Sequence, residues 1–262
     1  MQVNNSLDYT GKVVLVTGGT KGIGAGIAEG FLQAGAEVVV CGRQAPEVLP
    51  AVEGRTADFY PLDLRDVDAL SALFDHISER YGRLDVVVNN AGGSPAAEAA
   101  TASPRFSESI IRLNLLVPIN VAQFANRIMQ NQDEGGAIVF IGSVSASRPS
   151  PGTAAYGAAK AGVLSLVSSL AVEWAPKVRV VSVSPGLIRT EQSHLHYGDE
   201  VGIKAVGETI PAGRMGEPAD IAGACLFAAS PLASYWSGTN LLLHGGGEKP
   251  AFLSSSTAKQ VG

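Results

Sequence analysis

The stretch that decides the fold reads Thr17-Gly18-Gly19-Thr20-Lys21-Gly22-Ile23-Gly24. It follows an apolar run at 13–16 and opens a segment with helical periodicity at 24–34. Glycines at such a junction permit a tight turn and bring backbone N–H groups close to a pyrophosphate at a helix N-terminus, where the helix dipole favours anions. The turn therefore predicts a dinucleotide site. Its candidate cofactor-binding residues are Gly18, Thr20, Lys21, Gly22, Ile23 and Gly24.

Beyond this turn, apolar runs of strand length alternate with longer helix-periodic segments. Uninterrupted β-branched runs indicate strands that are buried on both faces. The pattern predicts an α/β fold with one Rossmann-like, doubly wound domain over 1–262, in which helices flank both faces of a seven-stranded parallel sheet. The predicted strands lie near 13–16, 37–41, 58–62, 84–88, 137–141, 178–183 and 240–243, and the later helices near 67–81, 105–129, 154–174 and 218–229.

Two segments lack this regular alternation. The segment at about 189–217 has no strong period and contains several glycines, which is typical of a mobile flap over a site. The segment at about 250–262 contains a run of serines and is interpreted as a flexible tail.

The composition excludes several classes of protein. With 46% hydrophobic and 16% charged residues, the 262-residue chain is too apolar to be disordered. Its net charge of −5 gives no basic surface for nucleic acid or an anionic membrane. Cys41 and Cys225 form no metal or disulfide motif, and no secretory leader or long apolar span is recognisable. We therefore expect a cytoplasmic protein without a metal site.

The end of the second predicted strand bears on the choice of dinucleotide. It reads Cys41-Gly42-Arg43 and lacks the acidic residue that binds the ribose hydroxyls in NAD sites. Arg43 can instead bind a 2′-phosphate through two hydrogen bonds, and Lys21 can add a second positive charge beside it. The sequence thus favours NADP(H) over NAD(H). The alternative is that both side chains are solvated surface charges.

A third set of residues consists of Ser143, Tyr156 and Lys160. Tyr156 and Lys160 lie one helical turn apart in an alanine-rich segment, so they share a helix face. An ammonium close to a tyrosine favours the phenolate and brings a proton donor or acceptor nearer to neutral pH. Ser143 follows a predicted strand, where its hydroxyl could hydrogen-bond a substrate oxygen. Taken alone, such a Tyr-x-x-x-Lys pair is more often a surface pair.

These motifs together make the chain resemble the short-chain dehydrogenase/reductase family in its compact single-domain form, from about residue 11 to 247. The resemblance rests on the turn at 17–24, Asn89-Asn90-Ala91-Gly92, Asn114, Ser143 upstream of Tyr156-x-x-x-Lys160, and Pro185-Gly186.

The resemblance implies a role for each matched residue. Tyr156 would be the general acid/base, and Ser143 would orient the reacting oxygen. Lys160 would lower the tyrosine pKa and hold the nicotinamide ribose, and Asn114 would anchor a water in a proton relay. Asp63 and the Leu64 backbone would contact adenine, and Ile188 and Thr190 would meet the carboxamide. The cofactor cleft would also be lined by Asn90, Ala91, Gly92, Pro185 and Gly186.

The implied activity is that of an oxidoreductase, for which the charges of Arg43 and Lys21 favour NADP(H). The resemblance also implies a homo-oligomer, expected to be a homotetramer, that pairs through the helices at 105–129 and 154–174. It would interconvert a carbonyl and a secondary alcohol, with 3-oxoacyl thioesters, steroid or cyclic ketones, and small aldehydes or ketones as candidate substrates. Two alternatives remain: an NAD-dependent alcohol dehydrogenase of the same family, and a catalytically silent dinucleotide-binding sensor.

Three histidines need separate interpretation. His244 stands where the family often has an aspartate, and we interpret it as structural. His194 and His196 lie in the predicted flap and could touch substrate or bind a metal, but no third ligand lies at a suitable spacing.

Overall fold

The computed structural model describes residues 7–255 and contains a seven-stranded parallel sheet. The strand order is β5-β2-β1-β6-β7-β8-β9, and β3 and β4 form a separate antiparallel pair. The strands are β1 (Val13–Thr17), β2 (Glu37–Gly42), β3 (Ala51–Val52), β4 (Arg55–Thr56), β5 (Asp58–Pro61), β6 (Val86–Asn89), β7 (Gly136–Ile141), β8 (Val178–Pro185) and β9 (Asn240–Leu243). The predicted Rossmann-like sheet is confirmed.

Helices cover both faces of this sheet. They are α1 (Gly22–Gln33), α2 (Val67–Tyr81), α3 (Pro104–Ile111), α4 (Val117–Gln130), α5 (Ala154–Glu173), α6 (His194–Tyr197), α7 (Glu200–Thr209), α8 (Pro218–Ala229) and α9 (Phe252–Ser255). A turn of π-helix, Arg112–Leu116, joins α3 to α4, and short 3₁₀ turns cover Val144–Ala146 and Pro231–Ala233.

The core has two layers because successive strand residues point to opposite faces of the sheet. Leu15 and Phe140 are buried in one layer with side chains of α2, α4 and α5. Val14 and Val139 are buried in the other layer with side chains of α1 and α8. This two-sided burial explains why the strands read as uninterrupted apolar runs.

One helix is apolar enough to raise the question of a membrane. By length and composition, α5 meets the minimum for a membrane-spanning helix. In the structure, however, its residues Val163 and Val167 are buried against the sheet. Packing in the core thus accounts for part of its apolar character, since 39% of its most apolar window is buried.

The segment at 189–217 contains more regular structure than its sequence pattern indicated. It includes α6 and α7, and Asp199 caps α7 by accepting hydrogen bonds from the backbone N–H groups of Val201 and Gly202. Ile203 packs with Ile210 and Met215 in a small core of its own. Of the predicted tail, residues 250–255 are described and include α9, and residues 256–262 lie outside the described residues.

The glycine-rich turn after β1 brings backbone segments into close contact. A Cβ atom on Gly24 would lie 2.3 Å from the carbonyl oxygen of Gly18 and 2.5 Å from Nδ2 of Asn90. Gly18 itself has a φ of 62°, which few other residues adopt. The turn can therefore close against β6 only with glycine at these positions.

We expect Gly24→Ala to lower the free energy of unfolding by about 1–3 kcal/mol, because the added methyl group overpacks the turn. Urea denaturation followed by circular dichroism measures this change. Gly223→Ala is the matched control, since a Cβ on Gly223 in α8 meets nothing within 4 Å. Equal midpoints for the two variants would show that the turn tolerates a side chain.

Candidate active site

A cleft of about 370 Å³ lies at the carboxyl ends of β1, β6, β7 and β8. This is the edge at which parallel sheets of this type bind ligands. It brings together most of the residues that the sequence singled out. These are Gly18, Lys21, Gly22, Ile23, Gly24, Asn90, Ala91, Gly92, Ser143, Tyr156, Lys160, Pro185, Gly186 and Thr190.

Thr17 joins the ends of two strands beneath the cleft, a role that the sequence analysis did not assign. Its side chain is buried, and its Oγ1 accepts hydrogen bonds from the backbone N–H groups of Asn90 and Ala91, each at 3.0 Å. In return, Nδ2 of Asn90 donates to the carbonyl oxygens of Thr17 (2.9 Å) and Gly18 (3.2 Å). The signal that could have found it was a hydroxyl residue at the end of a fully apolar strand.

The N-terminus of α1 has no side chain to satisfy its backbone donors. The N-cap residue, Lys21, makes no side-chain capping bond, and the first turn contains no acidic residue. The first-turn N–H groups and the helix dipole are thus left for an anion. With the close backbone packing at Gly24, this turn fits a dinucleotide pyrophosphate.

An acidic side chain that the sequence analysis missed lies against the same turn. Oε1 of Glu191 is 3.8 Å from the position that a Cβ on Gly22 would occupy, and Glu191 and Gln192 line the cleft. They follow Thr190 at the start of the predicted flap. Nothing in their spacing marked them, because their position depends on how the chain leaves β8.

The side chains of Lys160, Tyr156 and Ser143 lie on one wall of the cleft. Lys160 is buried, and its Nζ donates a 2.7 Å hydrogen bond to the carbonyl oxygen of Ile141 at the end of β7. The same Nζ is 5.6 Å from the centre of the Tyr156 ring. Tyr156 and Ser143 are half-buried, and both side chains line the cleft.

Burial dominates the titration of both ionisable groups. It lowers the pKa of Lys160 to about 8. It raises the pKa of Tyr156 above its ordinary value, and the hydrogen bond with Ser143 offsets part of that rise. In each case the low-dielectric surroundings disfavour the charged form. The lowering of the tyrosine pKa by Lys160 stays a prediction.

Asn114 is fully buried in the π-helical turn beside the cleft. Its Nδ2 donates to the carbonyl oxygens of Gly93 and Ile110, each at 2.9 Å, and its Oδ1 accepts from the N–H of Gly93 at 2.8 Å. A Cβ on Gly92 would lie 2.6 Å from this Oδ1 and 3.6 Å from Nζ of Lys160. The Asn114 amide and the lysine ammonium therefore converge on one small space.

Thr20 of the glycine-rich turn and the residues predicted to bind the 2′-phosphate and adenine lie outside the lining of this cleft, the latter after β2 and β5. Arg43 is exposed, Leu64 is buried, and Thr20 lies 3.9 Å from where a Gly42 Cβ would stand. The Asp63 carboxylate accepts hydrogen bonds from Arg65 at 2.9 and 2.6 Å. These bonds, helped by the charge of Arg43, lower the pKa of Asp63 to about 2.

The remaining candidates occupy different surroundings. Ile188 pairs with Gly216 in an isolated bridge and lines a neighbouring pocket. His244 packs beside Gly186, on which a Cβ would meet the Cβ of His244 at 2.7 Å. His194 is exposed, and its Nδ1 is hydrogen-bonded to the carbonyl oxygen of Glu191. Residues 7–255 contain no group of three or more His, Cys, Asp or Glu that could hold a metal ion.

The chain is similar in sequence to known oxidoreductases. A family model described as enoyl-(acyl carrier protein) reductase matches residues 18–248. The chain is 36% identical to a 3alpha-hydroxysteroid dehydrogenase of Mediterraneibacter gnavus, over 89% of this chain and 96% of the relative. It is 38% identical to the 3-oxoacyl-[acyl-carrier-protein] reductase MabA of Mycobacterium tuberculosis, over 91% of this chain and 93% of the relative.

Solved structures of related proteins have the same fold as this chain. One, a protein from Beutenbergia cavernae, contains bound NADP at low occupancy. It superposes with a TM-score of 0.84 at 32% identity and covers 92% of this chain and 98% of that one.

Proposed function

The chain belongs to the short-chain dehydrogenase/reductase family, a family of oxidoreductases, and on that premise we propose that it is an NADP(H)-dependent carbonyl reductase and alcohol dehydrogenase. The observation that carries the proposal is the shared position of Ser143, Tyr156 and Lys160 on one cleft wall, facing the uncapped turn of α1.

Ser143, Tyr156 and Lys160 have different roles in the transfer of the proton. NADPH, when bound, supplies the hydride that adds to the carbonyl carbon. Ser143 orients the carbonyl oxygen by a hydrogen bond, and the Tyr156 hydroxyl donates its proton to that oxygen, which completes the alcohol. In the oxidation direction, the tyrosinate removes the alcohol proton. Because burial raises the pKa of Tyr156, the protonated form that reduction needs predominates at neutral pH.

Lys160 and Asn114 support this proton transfer. The Lys160 ammonium stabilises the tyrosinate that remains after the proton has left, and it holds the nicotinamide ribose. Asn114 anchors a water that links the ammonium to solvent, and its position next to Lys160 and Gly92 supports that relay. Ile188 and Thr190 bind the nicotinamide carboxamide.

NADP(H) is favoured over NAD(H) by charge. β2 ends without an acid, and the exposed Arg43 and Lys21 are available for a 2′-phosphate. Asp63 and the Leu64 backbone bind adenine. The similar structure with bound NADP supports this choice, since it shares 32% of its sequence with the chain.

The substrate is a small molecule, and 3-oxoacyl thioesters and steroid or cyclic ketones are the leading classes. The names of the two curated relatives support these classes. We further propose that the whole chain acts as one domain whose segment at 189–217 covers the cleft. It assembles as a homotetramer through the helices at 105–129 and 154–174, where Leu116 of the π-helical turn and Val172 of α5 have exposed apolar side chains. The cytoplasmic location stays a prediction.

We expect Tyr156→Phe to reduce kcat for NADPH-dependent carbonyl reduction at least about a hundredfold, because the proton donor is lost. Binding of NADPH, followed by fluorescence, should change by less than about threefold, since the ring is retained. Tyr235→Phe is the control, because Tyr235 is fully exposed. Turnover by Tyr156→Phe within about threefold of wild type would refute the general-acid role and favour a different proton donor.

A second substitution tests the cofactor. Arg43→Asp should raise KM for NADPH far more than KM for NADH, because it places a negative charge beside the 2′-phosphate. Steady-state kinetics with both cofactors measures the split. Arg105→Asp makes the same charge change at an exposed position of α3. Equal effects on both cofactors would contradict a phosphate contact and support the NAD-dependent alternative.

A further inference from the structure

Arg148 lies in the loop that leaves the candidate catalytic serine. Ser143 caps the 3₁₀ turn Val144–Ala146 by accepting a hydrogen bond from Ser145, and Arg148 follows that turn. Its Nη2 is 2.8 Å from Oε1 of Glu248, and its Nη1 donates to the carbonyl oxygen of Pro149 at 3.0 Å. Its Nε is buried and has no hydrogen-bond partner among residues 7–255.

This guanidinium lines a small pocket that adjoins the cleft. The pocket, of about 60 Å³, is also lined by Val144, Leu187, Glu248 and Gly186. Gly186 lines the cleft as well, and Val144 is the neighbour of Ser143 in the chain. The two spaces therefore share a wall at Gly186, and the chain that leaves Ser143 passes from the cleft to the pocket.

The ion pair with Glu248 leaves the Nε–H donor of the guanidinium without an acceptor among residues 7–255. The Nε and Nη2 donors of arginine form a fork that matches the two oxygens of one carboxylate. Glu248 engages only Nη2, and its side chain is 45% exposed, so it can return to water at little cost. The buried Nε–H, in contrast, lacks an acceptor, which is unfavourable for a polar group in the interior.

The surroundings of the fork come from three parts of the chain. Arg148 belongs to the loop that follows Ser143, Glu248 to the segment after β9, and Tyr197 to α6. Burial raises the pKa of Tyr197, and the charges of Arg148 and Glu248 act on it in opposite directions. Tyr197 therefore lies within electrostatic reach of both charged side chains. Ile210, from the predicted flap, lines the pocket itself.

We propose that Arg148 is a specificity residue that binds a carboxylate on the substrate, so that the enzyme prefers oxo acids to neutral ketones of the same shape. The substrate carboxylate takes the Nε–Nη2 edge, and Glu248 turns to solvent. The carbonyl part of this inference rests on the function proposed above. The carboxylate part rests on the geometry of Arg148.

Equilibrium binding tests the carboxylate part without turnover. Calorimetry is performed on the NADP⁺-saturated protein with 4-oxopentanoate, 5-oxohexanoate and 4-oxocyclohexanecarboxylate, each paired with its primary amide. In the wild type, at least one acid should bind about tenfold more tightly than its amide, as expected for a charge-assisted bidentate contact. In Arg148→Met, the difference should shrink to about twofold or less, whereas Arg105→Met should retain it.

A second variant tests whether the ion pair between Arg148 and Glu248 has only a structural role. Glu248→Gln removes the competing carboxylate and should tighten acid binding about threefold or more without affecting the amides. If the pair served only to hold the loop, this variant would weaken both ligands or change neither. That result, or acids that bind no better than amides to the wild type, would overturn the proposal.

Turnover of the same ligands separates this inference from the proposed function. Amide reduction that depends on Tyr156, with no preference for acids in binding, would remove the role of Arg148 and leave the reductase intact. A binding preference for acids that Arg148→Met abolishes would support the carboxylate site even if none of these ligands is reduced.

Discussion

The buried ammonium of Lys160 is the interaction on which the site depends. A lysine that lies almost wholly inside a protein is unfavourable unless its charge is solvated by the protein itself. Here the carbonyl oxygen of Ile141, the last residue of β7, supplies that solvation at 2.7 Å. The hydrogen bond links α5 to the carboxyl end of β7. It thereby brings Tyr156, one turn earlier on α5, beside Ser143, which follows the same strand.

The rest of the cleft follows the same principle, because its polar groups are fixed by the ends of strands. Thr17 and Asn90 connect β1 to β6, and Asn114 holds the backbone of Gly93. These bonds leave the glycine turn and the N-terminus of α1 with donors for an anion. Rigid strand ends thus position the candidate catalytic groups, whereas we propose that Arg148 and the segment at 189–217 determine which substrate is bound.

The sequence predicted the sheet well, because strands buried on both faces leave an uninterrupted apolar signal. It also predicted that the glycine turn and the serine, tyrosine and lysine would meet in one cleft. It treated 105–129 as one helix, however, and missed the π-helical turn around Asn114. In that turn Nδ2 of Asn114 donates to the Ile110 carbonyl oxygen, and a side-chain bond of this kind leaves no periodic signal in the sequence.

The segment at 189–217 was difficult for a related reason. Its glycines suggested irregular structure, yet Gly202 and Gly207 lie within α7. A Cβ on Gly202 would stand 2.1 Å from the carbonyl oxygen of Tyr197, so this glycine permits close packing rather than a loop. Glu191 escaped notice because its contact with the turn at Gly22 arises only after the chain has folded.

The pH dependence of kcat/KM for carbonyl reduction tests the role of the Lys160 charge most directly. Burial lowers the pKa of this ammonium to about 8, so the charge is present below that pH and is lost above it. We expect a kcat/KM that is steady near neutrality and falls as the pH rises through about 8. A kcat/KM that stays constant well beyond that pH, while Tyr156→Phe remains inactive, would show that proton transfer does not depend on the lysine charge.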